Sequence, residues 1–235
     1  MRIVSWNCNG GLHKKLQQLL TLRGDIYIIQ ECANPVLAKD TTYRGWCRER
    51  FWVGTGHKGL GVFTIKAHIT RLDWDSNGLE FFLPLTIQDQ ITVLAVWTHP
   101  SSPPADGYIE QAWKYLLAHK TIIPRRRVII CGDFNSNKQW DHKHSHTHTD
   151  VVQELSSMGM ESVYHHCTGE DQGEESQPTL FFRHQRADSY HIDYAFVSSD
   201  IIAKATISIG NPDEWLEYSD HMPVILDIAD HDDGL

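Results

Sequence analysis

The sequence has no long apolar run. Among its 235 residues, none of the apolar segments approaches the roughly 20 residues that a membrane-spanning helix requires. The strand-like run at residues 3–6 is also too short for the core of a signal peptide. We therefore expect no membrane partner, and a cytoplasmic location.

Cysteine is scarce and its positions form no pattern. The five residues are an odd number, are scattered along the chain and include no CxxC pair. They are Cys8, Cys32, Cys47, Cys131 and Cys167. A disulfide framework or a structural zinc site would need clustered or paired cysteines. We therefore expect reduced, mostly buried thiols.

Positive charge is the third shortage. The chain has 21 Lys and Arg against 30 Asp and Glu, a formal net charge of −9. This balance argues against a protein that coats DNA by bulk attraction. It is compatible with an enzyme that binds a few phosphates locally. Acidic residues that hold a metal ion change the local charge near a bound phosphate. The length suits one domain at residues 1–229, followed by a short acidic tail at 230–235.

Short β-rich runs alternate with a few helical patterns. The predicted strands are residues 3–6, 26–30, 61–65, 79–87, 91–97, 128–131, 179–182, 191–197 and 223–228, and the predicted helices are residues 12–22, 108–119 and 150–158. Residues 79–87 and 91–97 read as a hairpin, and Thr149 or Asp150 as the cap of the third helix. The helices are too few for a βα barrel, so two packed sheets with helices outside them fit this order best.

Polar residues follow the apolar runs at six places. They are Asn7, Glu31, His99, Asp133 with Asn135, Asp193, and Asp220 with His221. Any one of them reads as a turn or cap residue, but six buried strand ends carrying polar groups would be costly without a partner or a metal. Carboxylate and amide oxygens suit Mg²⁺ or Mn²⁺. Phosphoryl transfer needs an activated water and positive charge, which His99 and His221 can provide.

The motifs at these positions resemble those of a known superfamily. They are Ser5-Trp6-Asn7, Gln30-Glu31, Thr98-His99, Gly132-Asp133-Phe134-Asn135, His191-Ile192-Asp193-Tyr194 and Ser219-Asp220-His221-Met222-Pro223. In this order they resemble the endonuclease/exonuclease/phosphatase superfamily, which includes deoxyribonuclease I and the exonuclease III-type apurinic endonucleases. The resemblance covers residues 5 to 223. It implies a four-layer α/β sandwich of two packed, mostly antiparallel β-sheets flanked by helices.

The resemblance also implies roles for the metal and water ligands. Glu31 would be the principal ligand of Mg²⁺, with Mn²⁺ as a substitute, while Asn7 lies close by and Asp220 contributes. Asp133 would orient and deprotonate the attacking water. Asn135 would hold that water or a phosphate oxygen.

Two histidines receive roles in the same way. His221, hydrogen-bonded to Asp193, would stabilise the transition state, and His99 would contact the phosphate or the leaving oxygen. Asn9 stands where the apurinic endonucleases carry an Asp near the metal, which makes a ligand from this position weaker. The implied substrate is a nucleic acid, with DNA favoured over RNA, and no obligate protein partner is expected.

Other candidate contacts come from the sequence around these motifs. Lys58, in the glycine-rich segment 54–61, is a candidate phosphate contact, and Arg183 and Arg186 precede the motif at Asp193. The histidine-rich segment at residues 142–148 reads as a solvated loop near the cleft, or as a metal-binding segment.

Two other classes of function stay open. The first is a phosphatase or phosphodiesterase for a small molecule or a lipid headgroup. The inositol-phosphatase branch typically has a Trp-Cys-Asp-Arg type motif where this chain has His191-Ile192-Asp193-Tyr194, which disfavours it. The second is a non-catalytic binding or metal-storage protein, which the intact set of acidic residues disfavours.

Overall fold

Two six-stranded β-sheets form the centre of the molecule. The computed structural model describes residues 1–47, 49–99, 107–143 and 145–229; the predicted acidic tail lies outside these residues. The sheets pack face to face through a buried apolar cluster that takes residues from both, such as Ile28 and Leu226 from one and Leu85 and Ile129 from the other. This cluster is the inner layer of a sandwich.

Each sheet has the same pattern of pairing. The first sheet has the order β13 (Ala205–Ile209), β14 (Val224–Ile228), β1 (Arg2–Asn7), β2 (Ile26–Cys32), β4 (Lys58–Thr64) and β3 (Glu49–Thr55). The second has the order β5 (Ile69–Arg71), β6 (Phe82–Ile87), β7 (Ile91–Trp97), β8 (Val128–Asp133), β12 (Asp193–Ser198) and β9 (Met160–Ser162). Among the strands of the described residues, only β1 with β2 and β7 with β8 are parallel. A short hairpin of β10 (Leu180–Phe181) and β11 (Ser189–Tyr190) forms a separate two-stranded sheet, and Leu180 is bridged to His221.

Helices flank the two sheets. They are α1 (Leu12–Leu20), α2 (Thr41–Trp46), α3 (Tyr108–His119), α4 (His148–Ser157), α5 (Val163–Thr168), α6 (Ser199–Ile202) and α7 (Pro212–Trp215). The buried residues of α5 and α6, Val163, Ile201 and Ile202, join the cluster between the sheets. The apolar face of α1 packs with α2 and the first sheet in one cluster. The apolar faces of α3 and α4 pack on the second sheet in another. The predicted four-layer α/β sandwich is therefore confirmed.

Several local predictions differ from the structure. The hairpin of β6 and β7 is present, but β6 begins at Phe82 rather than at residue 79, since Phe81 has a positive φ of 59°. Strands β3, β5, β9, β11 and β13 are missing from the predicted set. The cap of α4 is Thr147, not Thr149 or Asp150; Thr147 and Asp150 exchange side-chain hydrogen bonds in a capping box. None of the helices in the described part of the chain has the length and apolarity to cross a membrane.

The topology brings six chain segments to one edge. Strands β1 and β2 end together because they are parallel, and so do β7 and β8. The two pairs end at the same edge, where Asn7 of β1 contacts Asp133 of β8. Strands β12 and β14 run antiparallel to β8 and β1, so they begin where those strands end. Polar residues at these strand termini are therefore brought together at this edge of the sandwich.

Candidate active site

Asp133, the last residue of β8, lies at the centre of this edge. Its side chain is fully buried. The backbone N–H of Asn135 donates to Oδ1 at 2.8 Å, and the Asn135 side-chain amide donates to Oδ2 at 3.0 Å. From the other sheet, the amide of Asn7 donates to the same Oδ2 at 2.9 Å. Asp133 therefore joins the ends of both sheets.

A buried aspartate–histidine pair stands beside Asp133. Asp193 is the direct partner of Asp133 in the β8–β12 register. His221 Nδ1 lies 3.0 Å from Asp193 Oδ2, and the backbone carbonyl of His221 accepts a hydrogen bond from the indole of Trp6 at 2.8 Å. Ligand atoms of Asp133, Asp193 and His221 all lie within 4.8 Å of one another. In the described part of the chain, this is the one group of three such residues close enough to share a metal ion.

The three buried groups influence one another's charge. Burial raises the pKa of Asp133 from 3.8 to about 7, and the charge of Asp193 adds to the rise. The charge of His221 and the hydrogen bonds from Asn7 and Asn135 oppose it. Burial lowers the pKa of His221, but the charges of Asp193 and Asp133 outweigh this effect and raise it from 6.5 to about 10. At neutral pH His221 is therefore a buried cation between two carboxyl groups.

A second, more open group surrounds Glu31 at the end of β2. The amide of Asn7 lies 3.4 Å from Glu31 Oε1, and the ammonium of Lys58 forms an ion pair with Glu31 Oε2. On the other side of Asn7, the backbone N–H of Asn9 donates to Asn7 Oδ1 at 3.1 Å, and the Asn9 side chain donates to Asp220 Oδ1 at 3.1 Å. Asn7 therefore links this group to Asp133.

Three residues of the site have left-handed backbone conformations. Asn9, Glu31 and Asn135 have φ values of 47°, 59° and 46°. At Glu31 the register between β2 and β4 shifts, so the residue bulges out of the sheet. Glutamate seldom adopts this conformation, which costs of the order of 1 kcal/mol or more and clusters at functional sites. The bulge turns the Glu31 carboxylate towards Lys58 and Asn7.

The remaining predicted residues lie farther out. The exposed His99 ring packs against Trp97 and Phe81, with centroid distances of 4.8 and 5.9 Å. Arg186 forms an exposed ion pair with Asp213, and the guanidinium of Arg183 lies over the ring of its neighbour Phe182. No contact of either arginine with the Asp133 group is seen.

The described histidines of the histidine-rich segment do not gather into a ligand set. His146 stacks on Trp113 with centroids 5.1 Å apart, whereas His148 is buried and its Nε2 lies 3.1 Å from Gln172 Oε1. His144 lies outside the described residues. The described histidines of this segment thus serve different packing contacts.

Two supporting residues were not predicted from the sequence. The Thr179 hydroxyl accepts hydrogen bonds from the backbone N–H groups of Ile192 and Asp193, both at 3.0 Å. The amide of Gln30 donates to Ser5 Oγ at 3.1 Å and reaches the Val96 carbonyl of the opposite sheet at 3.4 Å. Gln30 lay inside a recognised motif, but no sequence signal marks Thr179, because its partners are 13 and 14 residues away.

A two-sheet sandwich with carboxylate, amide and histidine groups at one edge defines the deoxyribonuclease I-like class. The family model described as "Endonuclease/Exonuclease/phosphatase family" matches residues 4–221. The chain belongs to this family, as the motifs predicted. The activities in the family's name all act on phosphoester bonds. The sequence matches none of the curated proteins closely enough to count as a relative.

Solved structures of low sequence identity share the fold. A variant of the 3′ phosphatase NExo from Neisseria, bound to product DNA hairpin, is 18% identical with a TM-score of 0.73, and covers 97% of this chain and 99% of its own. An AP endonuclease from Archaeoglobus fulgidus is 18% identical with a TM-score of 0.71, covering 98% and 100%. The endonuclease domain of TRAS1, a telomere-specific non-LTR retrotransposon, is 16% identical with a TM-score of 0.64, covering 98% and 99%.

Proposed function

We propose that the protein is a metal-dependent phosphodiesterase that hydrolyses nucleic acid, with DNA favoured and RNA as the alternative polymer. One observation carries the proposal: Asp133 is buried between the amides of Asn7 and Asn135 and beside the Asp193–His221 pair. Such a group places a carboxylate that can accept a proton beside an imidazole that can donate to a phosphate oxygen, and both assist hydrolysis of a phosphate ester. The product DNA hairpin bound to NExo supports nucleic acid as the substrate class.

The donor set on the Glu31 side fits a hard divalent cation. Glu31 and Asp220 offer carboxylate oxygens and Asn7 offers an amide oxygen, which are ligands that Mg²⁺ and Mn²⁺ prefer. The ion pair with Lys58 supports this assignment, because a cation already stands against Glu31. The tighter group of Asp133, Asp193 and His221 suits Mg²⁺ less well, because an imidazole nitrogen is not among the oxygen ligands that this ion prefers. When bound, Mg²⁺ would withdraw charge from the phosphate oxygens.

The protein side chains supply the remaining chemistry. Asp133 accepts the proton of the attacking water, and Asn135 holds that water or a phosphate oxygen. With Nδ1 facing Asp193, His221 has Nε2 left to donate to a phosphate oxygen as negative charge develops in the transition state. His99 contacts the phosphate or the leaving oxygen from the end of β7.

Substrate contacts beyond the scissile phosphate are proposed at the rim. Lys58 and Asn9 flank Glu31 and Asp220 and can reach neighbouring phosphates. Arg183 and Arg186 stay candidates for a more distant part of the substrate. We also propose that residues 1–229 act as one domain, in the cytoplasm.

A cleavage assay tests the function. Supercoiled plasmid, single-stranded DNA and RNA are each incubated with the protein in EDTA, Mg²⁺ or Mn²⁺. The wild type is compared with Asp133→Asn and with the matched control Asp89→Asn, which changes an exposed turn residue at the far end of β7. We expect metal-dependent cutting by the wild type and the control, and none by Asp133→Asn.

The other outcomes are equally informative. Full activity in Asp133→Asn would remove Asp133 from the role of base. If the protein cuts none of the polymers but hydrolyses small phosphate esters, the substrate is a small molecule and the same chemistry applies to it.

A further inference from the structure

A groove of about 650 Å³ opens beside the Glu31 edge of the site. Its walls are the loop at residues 33–40, Tyr43 of α2, His13 of α1 and the β3–β4 turn at Gly56 and His57. The loop begins two residues after Glu31, and the turn ends next to Lys58, the ion-pair partner of Glu31. Residues that line the groove therefore adjoin Glu31 and Lys58 in the chain, which places the groove next to the proposed metal and phosphate site.

The loop exposes aliphatic side chains from a fixed backbone. Asn34 Oδ1 accepts the backbone N–H of Val36 at 2.9 Å, and the Asn34 carbonyl accepts that of Leu37 at 3.1 Å. The hydroxyl of Tyr43 anchors the start of the loop through the carbonyl of Ala33 at 2.9 Å. Val36 and Leu37 are nevertheless 68% and 73% exposed. Of the two, Leu37 lines the groove, and its exposed side chain offers a ligand in the groove an apolar contact.

The polar part of the groove is suited to phosphate. His13, Lys39 and His57 are exposed on its rim. The one acidic residue among the lining residues, Asp40, uses its carboxylate to cap α2 by accepting the backbone N–H of Tyr43 at 2.7 Å. The Lys39 ammonium and the N–H groups of the two imidazoles can donate hydrogen bonds to a phosphate, so this rim complements a ligand that carries both negative charge and an apolar surface.

We propose that this groove binds an unpaired nucleotide of the substrate strand next to the scissile phosphate. The base lies against Leu37 and the apolar floor, and its phosphate lies towards Lys39 and His57. A base within a duplex is already stacked on both faces and paired at its edge, so it cannot enter. The groove therefore selects single-stranded or unpaired segments, an inference that rests on the proposed nuclease function.

Binding measurements in the non-cleaving Asp133→Asn background test this assignment. Leu37→Ser removes the aliphatic contact at an exposed position. Ile65→Ser is the matched control, because Ile65 is 54% exposed and follows Thr64 at the far end of β4, where that strand pairs with the start of β2. Fluorescence anisotropy is recorded with a labelled 12-mer and with its duplex. We expect Leu37→Ser to weaken single-strand binding about five-fold or more, the loss of one base contact.

The duplex and the Ile65→Ser control should show unchanged affinities. A 12-mer carrying 4-thiothymidine should form photo-cross-links to the peptide that contains residues 33–40. Equal losses for single strand and duplex, no loss, or cross-links only elsewhere would overturn the groove assignment. If the wild type cuts nucleic acid but Leu37→Ser binds normally, the groove assignment fails and the nuclease function stands. A wild-type protein that neither binds nor cuts nucleic acid would overturn both.

Discussion

At the scale of single residues, buried charges at the site are arranged in complementary pairs. His221 is a cation because Asp193 and Asp133 face it, and Asp133 has a raised pKa because it is buried next to Asp193. Removing one member leaves the others with unbalanced charge in a low-dielectric surrounding. Single substitutions at these positions should therefore lower the stability of the site as well as its activity.

His221→Ala tests the proposed transition-state contact. We expect kcat to fall by about 10²- to 10³-fold with little change in KM, since a donor aimed at developing charge contributes mainly in the transition state. The measurement is steady-state cleavage of a labelled oligonucleotide, with His166→Ala as the control at an exposed histidine on α5. A change confined to KM would make His221 a substrate-binding residue instead.

A second buried acid, away from the site, makes stability depend on pH. Burial alone raises the pKa of Glu175, but hydrogen bonds from His165, Gly173 and Asn137 outweigh this and lower it from 4.5 to about 2. A lowered pKa in the folded state stabilises the fold above the unfolded value, and the contribution is lost as pH falls towards the folded value. The relevant window is therefore pH 4.5 down to 2.

Glu175→Gln should remove this contribution. In urea unfolding, we expect the wild type to be more stable than the variant by about 2 to 3 kcal/mol above pH 4.5, and the difference to shrink as pH falls towards 2. The exposed neighbour Glu174→Gln controls for the change in net charge. A difference that stays constant across this pH range would mean that Glu175 contributes only through neutral hydrogen bonding.

At the scale of elements, close contact between two parallel strands positions Asp133. Gly132 of β8 faces Val96 of β7 in the register. A Cβ at Gly132 would lie 1.9 Å from the Val96 carbonyl oxygen, and the φ of Gly132 is +154°. Glycine is therefore required here, because any side chain would force apart the two strands that carry His99 and Asp133.

Gly132→Ala should destabilise the protein by about 3 kcal/mol or more, as overpacking against rigid backbone does, and lower Tm by roughly 6 to 12 °C. The control is Gly45→Ala in α2, where a Cβ meets no atom within 4 Å and alanine favours the helix. Differential scanning calorimetry of both variants measures the effect. A Gly132→Ala melting temperature equal to that of the wild type would show that β7 and β8 can separate without cost.

At the scale of the whole molecule, the site exists only where the two sheets meet. Asn7 and Glu31 come from one sheet, Asp133 and Asp193 from the other, and His221 from the segment before β14. A ligand that binds across this edge should therefore stabilise the packing of the two sheets as well as the site itself.

Metal binding should raise the melting temperature. A ligand present at 100 times its Kd stabilises the folded state by about 2.7 kcal/mol, or roughly 5 to 11 °C for a chain of this length. We expect Mg²⁺ titrated into the EDTA-treated protein to produce such a rise, and Glu31→Gln to abolish most of it. Asp133→Asn should retain the rise in melting temperature. If the rise is lost in that variant alone, the metal binds at the Asp133 group instead.

Much of the fold was predictable because burial leaves a local pattern. Nine apolar runs each coincide with an observed strand, and the α1 and α3 periodicities begin at the observed residues. The strands that were missed are short, like β5 and β9, or lie at sheet edges, like β3 and β13. Such strands are half exposed, so their apolar alternation is weak, and pairing with a neighbour fixes them.

By itself, the sequence determined the positions of nine strands, the family and the polar residues at the strand ends, because motifs and apolar runs are local. Only the tertiary structure decided how those residues combine. It pairs Lys58 with Glu31 and Arg186 with Asp213 as ion pairs. It also brings the Thr179 hydroxyl to the backbone N–H of Asp193, from which it accepts a hydrogen bond. These contacts join residues far apart in the chain, and their geometry depends on how the two sheets pack, which no local pattern encodes.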